Sequence, residues 1–437
     1  MTRNRVALAA LFALAACGQS QTVDPMQQVG PNPVLPEPSE DLVPRAHFPR
    51  AVGWAAGEAP AVPAGFRIQA MATGLRSVRN IYPLANGDIL AVQSAKETPE
   101  PVERPKNAFF NYLFQTVHGA DSGSTNRIVL LRDADGDGNP ELQTVLLDNL
   151  NVPFGVVQVG NYLYVADTDA ILRFPFTPGQ TRITGAPTRI VELPAGRINH
   201  HFTKSLTANA DGSILYVGVG SNSNVGERGP EAETDRAMIW EVDPRTGAHR
   251  IFASGLRNPN GLTFYPGSSI LWTVVNERDE LGPNLVPDYM TSVRPGGFYG
   301  WPYSYYGQHV DPRVQPQRPD LVARAIAPDY ALSSHVAPLG LTFYTGTSFP
   351  PMFRGGAFVG EHGSWNRYEP NGYRIVFIRF AGGRPVGNPL PFATNFLDSD
   401  GNSRGRPVGV AVDRTGALLV ADDAASRVWR ISYVGVR

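Results

Sequence analysis

A tight turn built on glycine, followed by a short apolar strand that ends near Asp, Asn or Gly, recurs six times along the 437-residue chain. The copies lie at residues 86–92, 160–167, 211–217, 267–274, 355–360 and 416–422. Most are preceded by a second strand that opens on a glycine and an apolar residue, as at residues 154–157, 260–264, 339–343 and 408–412. Outer strands are supplied by segments such as 127–131, 238–242 and 374–378. Repeats of this kind cannot bury their apolar faces alone and must stack on one another. Helical periodicity is nearly absent, and 39 Pro with 45 Gly suit a β fold rich in turns. The pattern predicts an all-β chain, a six-bladed β-propeller of four-stranded antiparallel blades spanning residues 56–437 as one domain. The widest gaps between copies hold insertions at about residues 98–121 and 276–334. Long insertions carry binding function in many folds, and these are expected to roof the centre of the ring.

The amino terminus reads as an address. Arg3 and Arg5 precede an apolar run at residues 6–13 and then Leu14, Ala15, Ala16 and Cys17. The run is too short for a bilayer, which needs about 20 residues, and has the form of a secretory signal over residues 1–16. Its ending resembles the lipobox of bacterial lipoproteins, which implies lipidation of Cys17; the alternative is an ordinary signal peptide with an incidental cysteine. Residues 17–55, with Pro31, Pro33, Pro36 and Pro38, read as a semi-rigid tether. The resemblance implies an exported protein held through its lipid facing the periplasm. Gly18 in place of Asp after the cysteine favours the outer membrane, by likeness to enterobacterial sorting. Cys17 is the single cysteine, so internal disulfides and cysteine-ligated metals are excluded. A net charge of -1 leaves no basic excess for nucleic acid.

Three motifs stand in order at residues 255–262, 272–282 and 297–302, carrying Arg257, Asn258, Asn260, Glu277, Arg278 and Trp301. Together they resemble the glucose/sorbosone dehydrogenase family of quinoproteins, in particular its sorbosone dehydrogenase-like branch, over roughly residues 60 to 435. The resemblance implies a six-bladed propeller that binds pyrroloquinoline quinone (PQQ) and calcium. PQQ has three carboxylates and an ortho-quinone, so a site for it needs fixed cations and a hard cation beside the quinone oxygens; arginine meets carboxylates as a two-donor fork. By resemblance, Arg257 and Asn258 contact the cofactor, Asn260 stands where some relatives carry glutamine, and Arg404 and Arg406 form the family's cofactor-holding Arg-x-Arg pair. The backbone carbonyls of Glu277 and Arg278 would ligate calcium, an oxygen-seeking ion. Any one arginine taken alone is more often a solvated surface charge. One departure stands out: some relatives have a cofactor-binding lysine in the fifth blade, and residues 343–346 hold none.

A second metal candidate is the loop 133–141, where Asp133, Asp135 and Asp137 alternate around a glycine turn as in the first half of a calcium loop. Thr144 occupies the twelfth position, where an acid is usual. The loop reads as structural calcium binding, against a plain Asp-Gly hairpin. Taking a hydroxyl proton near neutral pH calls for a histidine, and residues 199–206 match the family's catalytic-histidine segment. His201 is the chosen base; His200 is expected to point the other way, because strand side chains alternate. His362 and Trp365, with Trp301, are candidates for the substrate mouth, although both tryptophans serve equally well as packing anchors. The reading is thus a PQQ- and calcium-dependent oxidation of a sugar, a sorbosone-like sugar aldehyde or a related alcohol. Electrons would pass to a periplasmic cytochrome or quinone. A calcium-dependent lactonase or hydrolase propeller and a non-catalytic binding propeller are the alternatives, since fold alone does not fix function.

Overall fold

A computed structural model describes residues 24–39, 47–96 and 126–435. It is a closed ring of six antiparallel blades. Blade one is Val78–Pro83, Ile89–Gln93, Arg127–Arg132 and Leu142–Leu147; blade two is Gly155–Val159, Tyr162–Ala166, Ala170–Pro175 and Thr188–Glu192. Blade three is Leu206–Ala208, Leu215–Val219, Met238–Val242 and His249–Ser254; blade four is Pro259–Phe264, Leu271–Val275, Pro287–Val293 and Tyr330–Ser334. Blade five is Pro338–Phe343, Ala357–Glu361, Arg374–Ala381 and Arg384–Ala393. Blade six takes Pro407–Val412, Leu418–Asp422 and Arg427–Tyr433 from the end of the chain and Phe66–Thr73 from its beginning. That last pairing, Phe66 to Tyr433 through Thr73 to Arg427, closes the ring.

All six glycine-turn copies lead into the second strand of a blade. These strands are unbroken apolar runs because both of their faces are covered: Ile89–Gln93, Leu215–Val219, Leu271–Val275, Ala357–Glu361 and Leu418–Asp422 are buried at every position. Six apolar clusters fill the six gaps between neighbouring blades, from Leu90 and Val92 against Val156 and Leu163 round to Val408 and Leu419 against Ile81 and Ala91. The glycines of the first strands answer to crowding near the axis. A Cβ on Gly155 would lie 2.4 Å from the Leu206 nitrogen of blade three, and one on Gly340 would lie 2.2 Å from the Val408 carbonyl oxygen of blade six.

This hairpin geometry fixes where function can sit. In an antiparallel pair the beginning of the first strand and the end of the second lie at the same edge. All six blades therefore deliver the residues before their first strands and after their second strands to one face of the ring.

Two expectations are corrected. Residues 276–334 are not one insertion: they contain the third and fourth strands of blade four, and the excursion between them, 294–329, climbs the outer edge of blade three, where Gly297 and Phe298 pair in parallel with Ala253 and Ser254. The other expected insertion, 98–121, lies outside the described residues. The described parts of the supposed tether are docked on the ring. Gly30 bridges Ala331, the Ser39 amide donates to Leu281, His47 to Arg367 and Val52 to Ser403, and Trp54 is buried with its indole donating to Asp422. Backbone pairing and one large aromatic anchor outweigh the extended bias of the prolines. Cys17 and the signal lie outside the described residues, and among those described no helix is long and apolar enough to cross a membrane.

Candidate active site

His201 precedes the first strand of blade three, at the functional face. Its Nδ1 lies 2.8 Å from the Ser221 carbonyl and 3.0 Å from the Ser221 hydroxyl oxygen. The Ser221 hydroxyl itself donates to the Ser223 carbonyl at 2.7 Å. Both contacts of Nδ1 are thus to acceptors, so Nδ1 carries the proton and Nε2 is left with its lone pair. Nε2 has no hydrogen-bond partner among the described residues. Burial, and then the charge of Arg257, holds the imidazole well below the ordinary histidine range, so it stays neutral. His200 does not point the other way as expected: residues 200–201 are not strand, and its ring packs edge-on against that of His201 with centroids 4.7 Å apart, while its amide donates to the Asn222 side chain at 3.1 Å. Beneath the pair lies Lys204, fully buried, its Nζ 3.4 Å from the His201 carbonyl; burial and Arg236 push its ammonium well down.

Gly220 separates this histidine from blade four. A Cβ there would meet the His201 Cβ and the Asn258 Oδ1, each at 2.5 Å. Gly220→Ala is therefore expected to fold but to displace His201, lowering kcat/KM on the order of 10²-fold; steady-state kinetics alongside a melting curve would check it.

The Arg257 segment is positioned as read, but not free as read. The guanidinium is buried and all five of its N–H groups are spent on protein: Asn224 O at 3.1 Å, Asn276 O at 3.2 Å, Glu277 O at 2.7 Å, Asn224 Oδ1 at 3.0 Å and Asp279 Oδ2 at 3.3 Å. Arg257 accordingly holds the 276–279 loop rather than offering a donor to a ligand. Asn260 is likewise used internally, donating to Asn258 O and accepting from Thr203, each at 3.2 Å. Asn258 differs: its Nδ2 donates to Asn276 Oδ1, while its own Oδ1 is buried with no hydrogen-bond partner among the described residues.

Glu277 and Arg278 follow the second strand of blade four. The Glu277 carboxyl is pushed by burial up to about 7, and its Oε1 is buried without a hydrogen-bond partner among the described residues. Arg278 points outward to Asp311 of the excursion, 3.0 Å away. Next to them Asp279 joins blades four and five, contacting Arg257, His335 Nδ1 at 3.3 Å and Asn366 Nδ2 at 2.8 Å. Burial alone would raise the Asp279 carboxyl, but the His335 hydrogen bond and Arg257 take it down to about 2. Burial opposes the charge on His335 too, and Asp279 overrides it, raising that imidazole.

The Arg-x-Arg pair is split. Residues 404–406 are not strand, so spacing by two does not align the side chains. Arg404 lies over Trp54, 5.9 Å from its ring, and 3.9 Å from Glu58. Arg406 is buried and turned toward blade five, donating from Nε to His362 O at 3.1 Å and from Nη2 to Gly363 O at 2.9 Å. Gly405 is required between them, because a Cβ would fall 2.2 Å from an Asp422 oxygen. His362 Nε2 meets the Asp423 carboxylate at 3.0 Å, and burial together with Arg406 lowers the imidazole to about 4. Asp423 also pairs with Arg79 of blade one at 3.3 Å. Trp301 is buried and donates to Asn224 O at 2.9 Å, the anchoring role rather than the substrate one. Trp365 is half-buried in the loop that carries Asn366.

Arg79, Asp279, His335 and Asp423 were not among the residues expected from the sequence. Each lies at the beginning of a first strand or the end of a second one, which is the signal that could have found them.

The acidic loop lies elsewhere. It joins the third and fourth strands of blade one, on the face opposite His201. Asp133, Asp135, Asp137 and Glu141 bring oxygens within 4.8 Å of one another. Asp133 already accepts the Gly136 and Gly138 amides at 2.8 Å each. Glu141, nine positions into the loop, supplies the acid that Thr144 does not.

Residues 164–364 match the family model described as Glucose / Sorbosone dehydrogenase, and residues 316–434 one described as TrAA12-like. An uncharacterized protein of Borreliella burgdorferi is 31% identical over 55% of this chain and 63% of its own length. The PQQ-dependent pyranose dehydrogenase of Coprinopsis cinerea is 23% identical over 72% of this chain and 44% of its own. The chain thus spans less than two thirds of these relatives. Among solved structures, the calcium structure of Trichoderma reesei Carbohydrate-Active Enzymes Family AA12 superposes with a TM-score of 0.67 at 19% identity, covering 86% of this chain and 97% of that one. Residues 164–364 carry the glucose/sorbosone dehydrogenase sequence pattern, and the segment 255–301 on which the resemblance rests lies wholly within it.

Proposed function

We propose that this chain is a calcium- and PQQ-dependent sugar dehydrogenase. The observation that carries the reading is His201, a neutral imidazole with its proton fixed on Nδ1 and Nε2 open at the ring's functional face. The related pyranose dehydrogenase and the calcium-bound AA12 structure support the cofactor pair.

The residues fit the group. Arg79 Nε and Asn258 Oδ1 are buried with no hydrogen-bond partner among the described residues, and Arg406 brings a second guanidinium. Arg406, Arg79 and Asn258 would hold the quinone's carboxylates and ring, and the Glu277 and Arg278 carbonyls would take calcium, with the unpartnered Glu277 Oε1 as a further hard oxygen. When bound, PQQ would supply a hydride acceptor and calcium a Lewis acid beside it. His201 Nε2 takes the proton of the substrate hydroxyl as the carbon bearing it is oxidised. The Ser221 carbonyl, accepting from Nδ1–H, holds the ring in place and stabilises the positive charge it gains. Arg257 and Asp279 keep the calcium-side loop in register. Electrons would leave to a periplasmic carrier, and a lipid on Cys17 would keep the enzyme at a membrane surface.

Purified protein reconstituted with PQQ and calcium is expected to bind PQQ at micromolar concentration and to reduce a dye with aldoses, sorbosone or simple aldehydes. Absence of PQQ binding would overturn the reading. Lactone cleavage with calcium alone would replace it with the hydrolase alternative.

A further inference from the structure

Arg79 opens the innermost strand of blade one, yet its contacts are with other blades. Its guanidinium pairs with Asp423 of blade six at 3.3 Å and lies 5.9 Å over the ring of Phe202, the residue after His201. Its side chain is 12% exposed, and its Nε is buried with no hydrogen-bond partner among the described residues. Lys96, also of blade one, places its Nζ 5.9 Å from the same Phe202 ring.

Among the described residues the charges around Arg79 do not balance. Among the described residues Asp423 is the one carboxylate that faces it, and that carboxylate is also shared with His362 at 3.0 Å. The other charged neighbour is Arg406, which donates from Nε and Nη2 to the neutral carbonyls of His362 and Gly363. Two guanidiniums thus lie near one another, and among the described residues Asp423, paired with Arg79, is the one carboxylate that forms an ion pair with either. Buried charges are normally paired, and a planar guanidinium is shaped to grip a carboxylate with two donors. Burial lowers the Arg79 pKa first; Asp423 opposes that and Arg406 adds to it.

We infer that Arg79 is a cofactor-binding residue of this site, presenting its guanidinium with that of Arg406 to one carboxylate of the quinone. It would do the work of the fifth-blade lysine that residues 343–346 lack. The inference rests on the PQQ reading above. A purely structural role, neutralising Asp423, is the competing account, and the two differ in what happens when Asp423 is removed.

The test is PQQ titration into the calcium-loaded, cofactor-free protein, followed by quenching of tryptophan fluorescence, with melting curves to show that each variant is folded. Arg79→Gln is expected to weaken PQQ binding about 10- to 100-fold, the worth of a charge-assisted hydrogen bond. Asp423→Asn, which frees Arg79, is expected to bind PQQ at least as tightly as the wild type, and the double variant to remain as weak as Arg79→Gln. Arg79→Lys keeps the charge without the planar fork and should lose a few-fold, which carries the test if Arg79→Gln does not fold. Unchanged affinity in Arg79→Gln, or affinity restored in the double variant, would assign Arg79 to Asp423 alone and overturn the inference. A wild-type protein that binds no PQQ would overturn the parent reading instead, and this inference with it.

Discussion

His201→Ala is expected to bind PQQ and calcium within a few-fold of the wild type while kcat for sugar oxidation falls by about 10²- to 10⁴-fold, the range a positioned general base supplies. The argument is geometric before it is electrostatic. Ser221 fixes the tautomer, with its carbonyl at 2.8 Å and its hydroxyl at 3.0 Å both accepting from Nδ1. The lone pair that must do the chemistry is therefore on Nε2. The pH profile follows from the direction of the shift. Burial and Arg257 depress the imidazole, so its basic form persists below the ordinary histidine range. In the wild type, kcat/KM should stay flat from about pH 8 down through 6.5, the usual histidine value, and fall only on the more acid side. Stopped-flow dye reduction across pH would read both the amplitude and the limb. A fall centred at or above 6.5 would contradict the environment described for His201, and normal turnover by His201→Ala would remove it from the mechanism.

The largest effect on stability is expected at Asp422. Its buried carboxylate accepts four donors: the Trp54 indole at 3.1 Å, the Trp429 indole at 3.0 Å, the Arg406 amide at 2.8 Å and the Ala425 amide at 3.1 Å. Truncation to alanine leaves all four without their acceptor. Each orphaned buried donor costs about 1–3 kcal/mol, not additively, so Asp422→Ala should lose about 3–5 kcal/mol. Asp422→Asn keeps one acceptor oxygen and should lose less. The pH dependence has a definite sign. Burial raises the folded-state pKa to about 6 from an unfolded value of 3.8. The stability contributed by protonation is then fully present below about 3.8 and is lost as pH rises through 6. The gap between wild type and Asp422→Ala should accordingly be wider at pH 4 than at pH 8. Chemical denaturation at the two pH values would measure it, and an equal gap would refute the assignment.

The ring itself was legible because its determinants are local. A glycine turn and an apolar second strand recur in each blade, and the first-strand glycines mark where backbones crowd. His201 and Arg406 were legible for a related reason, since each immediately precedes a recognisable strand. What escaped is what depends on contacts between distant segments. Arg79 and Asp423 are 344 positions apart by subtraction of their numbers and meet at 3.3 Å only because blades one and six are neighbours. Arg257 carries the right motif, yet nothing in the motif shows that Asn224, Asn276, Glu277 and Asp279 consume its donors. Arg404 failed because spacing by two orients side chains only in a strand, and residues 404–406 are not one. The docked residues 24–39 and 47–55 were hidden by proline content, which describes local stiffness and not whether a binding groove awaits the chain.

The pairing of Phe66–Thr73 with Arg427–Tyr433 has a consequence for how the molecule comes apart. Open arrays of repeats end in exposed units that fray first and need polar caps. Here the two extremities of the domain share a sheet, so every blade has two neighbours and none is terminal. Removing either extremity would expose apolar surface on both sides of blade six at once. The six blades should therefore melt together, and a functional face assembled from all of them would vanish in the same transition.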